Sequence, residues 1–190
     1  MSAPGVILLL ESLHPEAEAL LASAGTLLRA VDPNEPPAEL TNVRGIVTRG
    51  RGRIPDSLLA RCPALAVIAR AGAGLDNLDT AAAARRGIPV IFAPGANTNT
   101  VAAHTLALML DLARGITRGA RSVAAGRWEE RAHYKGDELG GLTLGIVGFG
   151  SIGQRVAVLS TAFGMHVRVA AHSSRSDGPS SYPRLPLREL

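Results

Sequence analysis

The fold is decided by the stretch LTLGIVGFGSIG, residues 142–153. Its first half is a short apolar run that predicts a buried strand, and a helical pattern over 154–163 follows its second half. Three glycines between them stand in the order GxGxxG. In such a turn the first Gly permits a tight bend, and the second lets a pyrophosphate approach the backbone. The third lets the helix pack on the strand, while the first helical N–H groups hold the anion. The alternative is a glycine-rich turn without a ligand. The predicted cofactor-binding residues of this turn are Gly148, Gly150, Ser151, Ile152 and Gly153.

The end of the next predicted strand, 166–171, bears on the choice of dinucleotide. NAD enzymes usually place Asp or Glu there to accept hydrogen bonds from the adenosine ribose. This chain has no carboxylate at that point, whereas an arginine beside two hydroxyl groups suits the 2′-phosphate of NADP. We therefore expect NADP to be preferred over NAD. In the alternative, Arg175 lies in a solvated loop and Asp177 binds the ribose. The predicted phosphate-binding residues are Ser173, Ser174 and Arg175.

Composition and charge exclude several classes of protein. Hydrophobic residues make up 46% of the 190 residues, which is enough to form a core. The net charge is +4, but Lys135 is the single lysine among 20 basic residues, and the arginines are scattered among carboxylates. Aromatic residues make up only 3%, so stacking surfaces for nucleic acid are scarce. No apolar run approaches the roughly eighteen residues of a membrane span. We therefore expect neither nucleic-acid binding nor membrane insertion.

Cysteine and histidine usage favours a metal-free protein of a reducing compartment. The five histidines and the single cysteine show no metal-ligand spacing. Cys62 has no partner for an internal disulfide, which favours a cytoplasmic location. The opening run MSAPGVILLLESLHPE lacks a basic segment and predicts a first strand instead of a signal peptide.

Short apolar runs alternate with helical patterns through the first half of the chain. This alternation predicts an α/β fold, with a parallel sheet covered by helices on both faces. A proline-rich loop is expected after Gly25. The run Thr100–Leu112 is apolar nearly all round, which is typical of a helix buried between domains or subunits, and 126–141 is expected to be an irregular arm. The predicted strands are 5–10, 45–48, 65–69 and 89–92, and the predicted helices are 15–24, 55–61 and 79–84.

Several ordered motifs resemble one family. Residues 70–79 (RAGAGLDNLD) are similar to the substrate-loop signature of D-isomer-specific 2-hydroxyacid dehydrogenases, particularly the phosphoglycerate-dehydrogenase-like ones. The segments 86–98, 126–128 and 163–165 fit the same order, so the resemblance covers nearly the whole chain. It implies a flavodoxin-like substrate domain, here 1–98. It also implies an incomplete Rossmann domain with a doubly wound parallel sheet that binds NAD(P), here 99–190.

The resemblance also implies residue roles. Backbone amides around Ala73 and Gly74 would hold the substrate carboxylate, Asn97 would face the substrate from the hinge, and Arg49 would help to bind acidic substrates. A solvated turn remains the alternative for Arg49, and a helix cap the alternative for Asn97. A homodimer would form through the helix near Thr100 and the arm around Trp128.

The implied activity is hydride transfer between a nicotinamide cofactor and a small D-2-hydroxy or 2-oxo acid. The family's catalytic Arg, Glu and His are expected beyond Leu190, so no catalytic residue is assigned within the chain and the 190 residues alone are expected to be inactive. His104, on the apolar helix, is interpreted as a packed or hinge residue. Two alternatives stay open, a non-catalytic module that binds dinucleotide or dimerises, and an inactive truncated relative.

Overall fold

The structure, a computed structural model, describes residues 5–170 and 181–190. The chain divides into two units, Met1–Ala96 and Asn97–Leu190. Each unit has its own parallel sheet and its own buried apolar cluster. The predicted α/β class with parallel strands is therefore confirmed.

The first unit is a five-stranded parallel sheet in the order β2-β1-β3-β4-β5. Leu8, Ile46 and Ile68 pair across its three central strands and are each fully buried. Their positions explain why these strands read as continuous apolar runs, since both faces of a parallel sheet are covered. Asp79 caps the last helix as predicted, its Oδ1 accepting from the Ala82 N–H at 2.8 Å. The strands are β1 (Val6–Leu9), β2 (Thr26–Arg29), β3 (Val43–Thr48), β4 (Val67–Arg70) and β5 (Val90–Ile91), and the helices are α1 (Pro15–Ala24), α2 (Asp56–Ala60) and α3 (Thr80–Arg85).

Strand β2 was not predicted. It is a four-residue edge strand with two half-buried residues between two exposed ones, so neither a long apolar run nor a clean alternation marks it. The preceding Gly25 has an extended backbone, with φ of −179°, instead of the left-handed conformation expected of a glycine that ends a helix. A Cβ at Gly25 would overlap the carbonyl oxygen of Gly5. This glycine is therefore required by a close approach between two chain segments.

In the second unit, α6 packs against the strand pair β6–β7 and against α4. Ala102 and Leu106 from α4 join Ala157 of α6 and Val167 and Val169 of β7 in one buried cluster. The elements are α4 (Thr98–Arg114), α5 (Ile116–Ala124), β6 (Thr143–Val147), α6 (Ser151–Ala162) and β7 (His166–Ala170), with short 3₁₀ helices at Trp128–His133 and Leu187–Glu189.

Helix α4 exposes much of its apolar surface in this chain, and its burial between domains or subunits stays a prediction. In this chain only Ala102 and Leu106 are buried, whereas Leu108 is 58% and Leu112 is 88% exposed. The next helix, α5, was not predicted; it begins directly after Gly115, whose left-handed φ of 57° ends α4. Within the described residues, no helix has both the length and the apolar character needed to cross a membrane.

Candidate functional site

The glycine-rich turn joins β6 to α6 in the second unit. Gly148 has a φ of 90°, which L side chains rarely adopt, and its N–H donates to the Ala170 carbonyl at 2.8 Å. A Cβ at Gly153 would overlap the carbonyl oxygen of Gly148, so α6 is pressed against the turn. A Cβ at Gly150, in contrast, would meet nothing within 4 Å. The three glycines therefore meet three different requirements: a left-handed bend, open space and close packing.

Open space adjoins the start of α6. Gly150 is the N-cap residue and no side chain caps the helix, so the first amides, including those of Ser151 and Ile152, have no capping side chain. A cavity of about 530 Å³ lies against this turn and is also lined by Thr105 and Met109 of α4. Helix N-termini attract anions because their free N–H groups and the helix dipole point the same way. The turn is thus suited to hold a phosphate group.

The predicted 2′-phosphate residues lie outside the described residues. These are Ser173, Ser174 and Arg175, together with the alternative Asp177. The preference for NADP therefore stays a prediction from sequence.

Glu11 organises the turn that carries Arg49 in the first unit. Glu11 lies just beyond β1, and the turn follows β3; because these strands are parallel neighbours, their carboxyl ends meet at the same edge. The Glu11 Oε1 accepts from the N–H groups of Gly50, Arg51 and Gly52 at 2.9 Å each. It also accepts from the Arg49 N–H and the Thr48 hydroxyl at 3.0 Å each. Four successive amides therefore surround one carboxylate oxygen.

This environment favours the charged form of Glu11. Burial by itself raises the pKa of the carboxyl group, but the hydrogen bonds from Gly50, Gly52, Arg49 and Thr48 outweigh it and lower the pKa to about 2. Glu11 is thus ionised whenever the first unit is folded near neutral pH.

A second set of hydrogen bonds holds the far side of the same turn. Asn77 donates from Nδ2 to the Gly52 carbonyl at 2.6 Å and to the Thr48 hydroxyl at 3.2 Å. Thr48 is fully buried and Asn77 is nearly so. The turn is therefore fixed both by Glu11 and by the segment after β4.

The turns after β3 and β4 lie side by side. The N–H of Ala71 donates to the Thr48 carbonyl at 2.8 Å. Ala73 is half-buried and Gly74 is exposed in the second turn. The structure thus places Arg49 and the Ala73–Gly74 turn at the same carboxyl edge of the first sheet.

A cleft of about 670 Å³ at this edge is lined by three arginines, Arg29, Arg49 and Arg51. Arg29 forms an ion pair with Glu18 at 2.6 Å. Among the described residues, no carboxylate pairs with the guanidinium groups of Arg49 or Arg51. The cleft is also lined by Glu11 and Glu18, so Arg49 and Arg51 bring two guanidinium groups without a direct ion pair into a cleft that holds carboxylates as well.

Arg70 ends β4 beneath the same two turns. Its side chain is only 14% exposed, and it lies 4.0 Å from the Asp76 carboxylate. A Cβ at Gly50 would stand 3.3 Å from its Nη2, and a Cβ at Gly72 would overlap its Nη1. These glycines therefore leave room for the guanidinium group between the turns.

Sequence reasoning assigned no role to Glu11, Thr48, Asn77 or Arg70. For Glu11, Thr48 and Arg70 the available signal was a polar residue directly after, or at the end of, an apolar strand. Arg70 and Asn77 also lie within the motif 70–79. Asn97 is the N-cap residue of α4 and is exposed, and its side chain makes no capping hydrogen bond. His104 is also exposed on α4, so it is not packed within this chain. Within the described ranges, no group of three or more His, Cys, Asp or Glu is placed to hold a metal ion.

Comparison with known families agrees with this geometry. The model of the D-isomer specific 2-hydroxyacid dehydrogenase, catalytic domain, matches residues 7–174. The chain belongs to this family. The predicted family resemblance is therefore confirmed.

Two curated relatives illustrate the similarity. The chain is 44% identical over 122 residues to the hydroxypyruvate reductase of Thermotoga maritima, covering 64% of this chain and 40% of the relative. It is 37% identical over 163 residues to the D-3-phosphoglycerate dehydrogenase of Methanocaldococcus jannaschii, covering 85% and 31%. The chain thus spans well under half the length of these relatives.

Solved structures share the fold. The TT0316 protein of Thermus thermophilus matches with a TM-score of 0.84 and 35% identity, over 97% of this chain and 60% of that one. The NADPH-dependent glyoxylate/hydroxypyruvate reductase of Sinorhizobium meliloti, in complex with NADP and malonate, matches with a TM-score of 0.84 and 26% identity, over 97% and 58%. The predicted flavodoxin-like and Rossmann-type architecture is confirmed by these matches.

Proposed function

We propose that this chain supplies the dinucleotide-binding turn and the substrate-carboxylate turn of an NAD(P)-dependent dehydrogenase or reductase of small D-2-hydroxy and 2-oxo acids. The observation that carries the proposal is the β6–α6 turn, in which Gly150 leaves open space in front of an uncapped helix start. The pyrophosphate would accept hydrogen bonds from the first amides of α6, next to Gly148 and Gly153. In this proposal, residues 1–98 form the substrate domain and residues 99–190 belong to the nucleotide-binding domain.

The first unit would bind the acid. The amides of Ala73 and Gly74 would hold its carboxylate, since a glycine-containing turn exposes N–H groups without side-chain obstruction. Arg49 would attract a second anionic group on the substrate, and Asn97 would face the substrate. When bound, the nicotinamide cofactor exchanges a hydride with the carbon that carries the hydroxyl group.

The cofactor is proposed to be NADP in preference to NAD. Arg175, with Ser173 and Ser174, supplies a cation and two hydroxyl groups where NAD enzymes usually place a carboxylate. The similarity to an NADPH-dependent reductase supports the same choice.

The exposed apolar residues of the second unit favour association with a second copy. Leu112 is 88% and Trp128 is 60% exposed, on α4 and on the 3₁₀ helix that follows α5. Contiguous exposed apolar surface is typical of an interface, and we propose that these side chains contribute to one. A homodimer and a cytoplasmic location stay predictions.

A polypeptide of these 190 residues alone is proposed to bind dinucleotide without turnover, because the roles proposed for its residues are to hold the cofactor and the substrate, and none of these roles is proton transfer. The rival function is a non-catalytic dinucleotide-binding or dimerisation module. Both the dehydrogenase and the non-catalytic module predict that the chain alone binds cofactor without turnover. Turnover of 2-oxo acids by a longer polypeptide that contains this chain would favour the dehydrogenase.

The test is titration of the purified chain with NADPH and NADH, followed by fluorescence or calorimetry. Gly150→Ala is expected to weaken NADPH binding at least roughly tenfold. Its melting temperature should stay unchanged, because the added methyl group meets open space in the protein but obstructs the pyrophosphate. Gly119→Ala is the matched control. Gly119 lies on α5, outside the glycine-rich turn, and a Cβ there also meets nothing within 4 Å.

Arg175→Ala tests the choice of cofactor in the same titration. It should weaken NADPH binding and leave NADH binding unaltered, because only NADPH carries the 2′-phosphate. The proposal fails if folded wild-type protein binds neither dinucleotide, or if Gly150→Ala binds NADPH as tightly as wild type does. A wild-type preference for NADH would refute the choice of NADP alone.

A further inference from the structure

The turn Arg49–Gly52 presents four successive backbone N–H groups to a single point. Converging amides of this kind form an anion-binding nest, which in many proteins receives a ligand. Here the occupant is part of the chain, since the Glu11 Oε1 accepts all four N–H groups at 2.9 to 3.0 Å. A substrate anion therefore has no access to this nest, and what the turn can offer a ligand is its side chains.

The two ends of the turn are held differently. The Gly52 end is anchored by Asn77, and a Cβ at Gly52 would stand 2.7 Å from the Leu10 Cβ, so it also packs tightly. The Arg49 N–H, at the other end, donates to Glu11 at 3.0 Å. Two of the four residues are glycines, which lose the most backbone freedom when a turn is ordered. The Arg49 end continues β3, whose last residue, Thr48, is fully buried and accepts from the Ala71 N–H at 2.8 Å. The conformation of Gly50 and Arg51, between the two anchored ends, therefore depends chiefly on Glu11.

The charge of Glu11 is satisfied by amides and a hydroxyl group, and the carboxylate forms no ion pair among the described residues. It consequently leaves the guanidinium groups of Arg49 and Arg51 available. Both line the cleft at the carboxyl edge of the first sheet.

We propose that Glu11 is a positioning residue, whose carboxylate fills the amide nest and so holds Arg49 and Arg51 in place for an anionic group of the substrate. The inference rests on the proposed function, because it assumes that the acid is bound in this cleft. Glu11 also lines this cleft, but its role is to hold the turn, because its Oε1 already accepts the four amides.

Hydrogen exchange and anion binding test the inference in the full chain. Glu11→Gln keeps the shape of the side chain and removes its charge, and Glu11→Ala removes the acceptor. Hydrogen bonds to charged groups are substantially stronger than those to neutral ones, so we expect exchange of amides 49–52 to accelerate roughly tenfold or more. Tartronate, a 2-hydroxy acid with a second carboxylate, is the probe, and its dissociation constant should rise roughly tenfold in Glu11→Gln.

Glu16→Gln is the matched control. It removes the same charge from a side chain that is 92% exposed, lies 3.8 Å from His14 and is not among the hydrogen-bond partners of residues 49–52. Both exchange at 49–52 and tartronate binding should stay as in wild type.

A double-mutant cycle with Arg49→Ala separates positioning from general destabilisation. If Glu11 acts through Arg49, Glu11→Gln should cost little further affinity in the Arg49→Ala background, whereas independent effects would add. The inference would be overturned if the two substitutions cause additive losses of tartronate affinity. It would also be overturned if amides 49–52 of Glu11→Gln exchange as slowly as those of wild type. If folded wild type does not bind tartronate, the proposal that this cleft binds the substrate fails, and so does the proposed effect of Glu11 on substrate binding. The hydrogen-exchange result still decides separately whether Glu11 holds the turn.

Discussion

Gly153→Ala introduces a methyl group where α6 meets the glycine-rich turn. The new Cβ would come closer than 3.0 Å to the Gly148 carbonyl oxygen, a distance that real Cβ atoms almost never show. It would also stand 3.3 Å from the Gly148 carbonyl carbon and 3.4 Å from the Ile146 Cγ2. The main obstacle is backbone, which cannot rotate away, so α6 or the turn must move.

The expected cost follows from two opposing effects. Alanine favours a helix over glycine by up to about 1 kcal/mol, while overpacking that shifts backbone typically costs about 1 to 3 kcal/mol or more. We expect a net loss of about 2 kcal/mol in the free energy of unfolding. For a chain of this size, that lowers the melting temperature by roughly 4 to 8 °C.

Thermal unfolding followed by circular dichroism measures this effect. Gly119→Ala, in open space on α5, is the control and should leave the melting temperature unchanged or raise it slightly. A Gly153→Ala protein as stable as wild type would refute the reasoning, because it would mean that α6 does not press on the turn.

Two further predictions concern the first unit. The pKa of Glu11 is about 2 when folded, against an ordinary value of 4.5, so its contribution to stability is complete above pH 4.5 and is lost as the pH falls toward 2. That contribution is about 2 kcal/mol after allowance for solvent screening. Urea unfolding of wild type and Glu11→Gln between pH 7 and pH 2 should show the difference in their free energies of unfolding shrink as the pH falls. A difference that stays constant would contradict the prediction. Asp79→Ala removes the cap of α3 and should cost about 1 kcal/mol in urea unfolding, whereas Asp79→Asn, which keeps an oxygen acceptor, should cost less; equal losses would argue against the cap.

Local patterns predicted most of the regular structure. The strand, turn and helix around 142–153 could be read from sequence because backbone conformation there depends on neighbouring residues. The same holds for α1, α3 and the cap Asp79. Strand β2 was missed since only its pairing with β1 makes it a strand, and a four-residue edge strand carries little pattern of its own.

In the candidate site, too, sequence reasoning identified the residues of a local turn and missed a residue whose contacts are distant in sequence. Gly148, Gly150 and Gly153 were identified from their spacing, because the turn they form is local. Glu11 was not identified, since its partners lie 37 to 41 positions away and come within reach only when β1 and β3 pair.

The sequence by itself determined the α/β class, the family and the glycine-rich turn, because these depend on apolar periodicity and on short, ordered motifs. The tertiary structure alone decided that Glu11 fills the nest of the Arg49 turn and that Arg70 lies beneath Gly50 and Gly72. It also decided that Gly25 is needed for a close approach and not for a left-handed bend. The physical reason is that hydrogen bonds and steric contacts between distant segments depend on strand order and register, which no local stretch of sequence specifies.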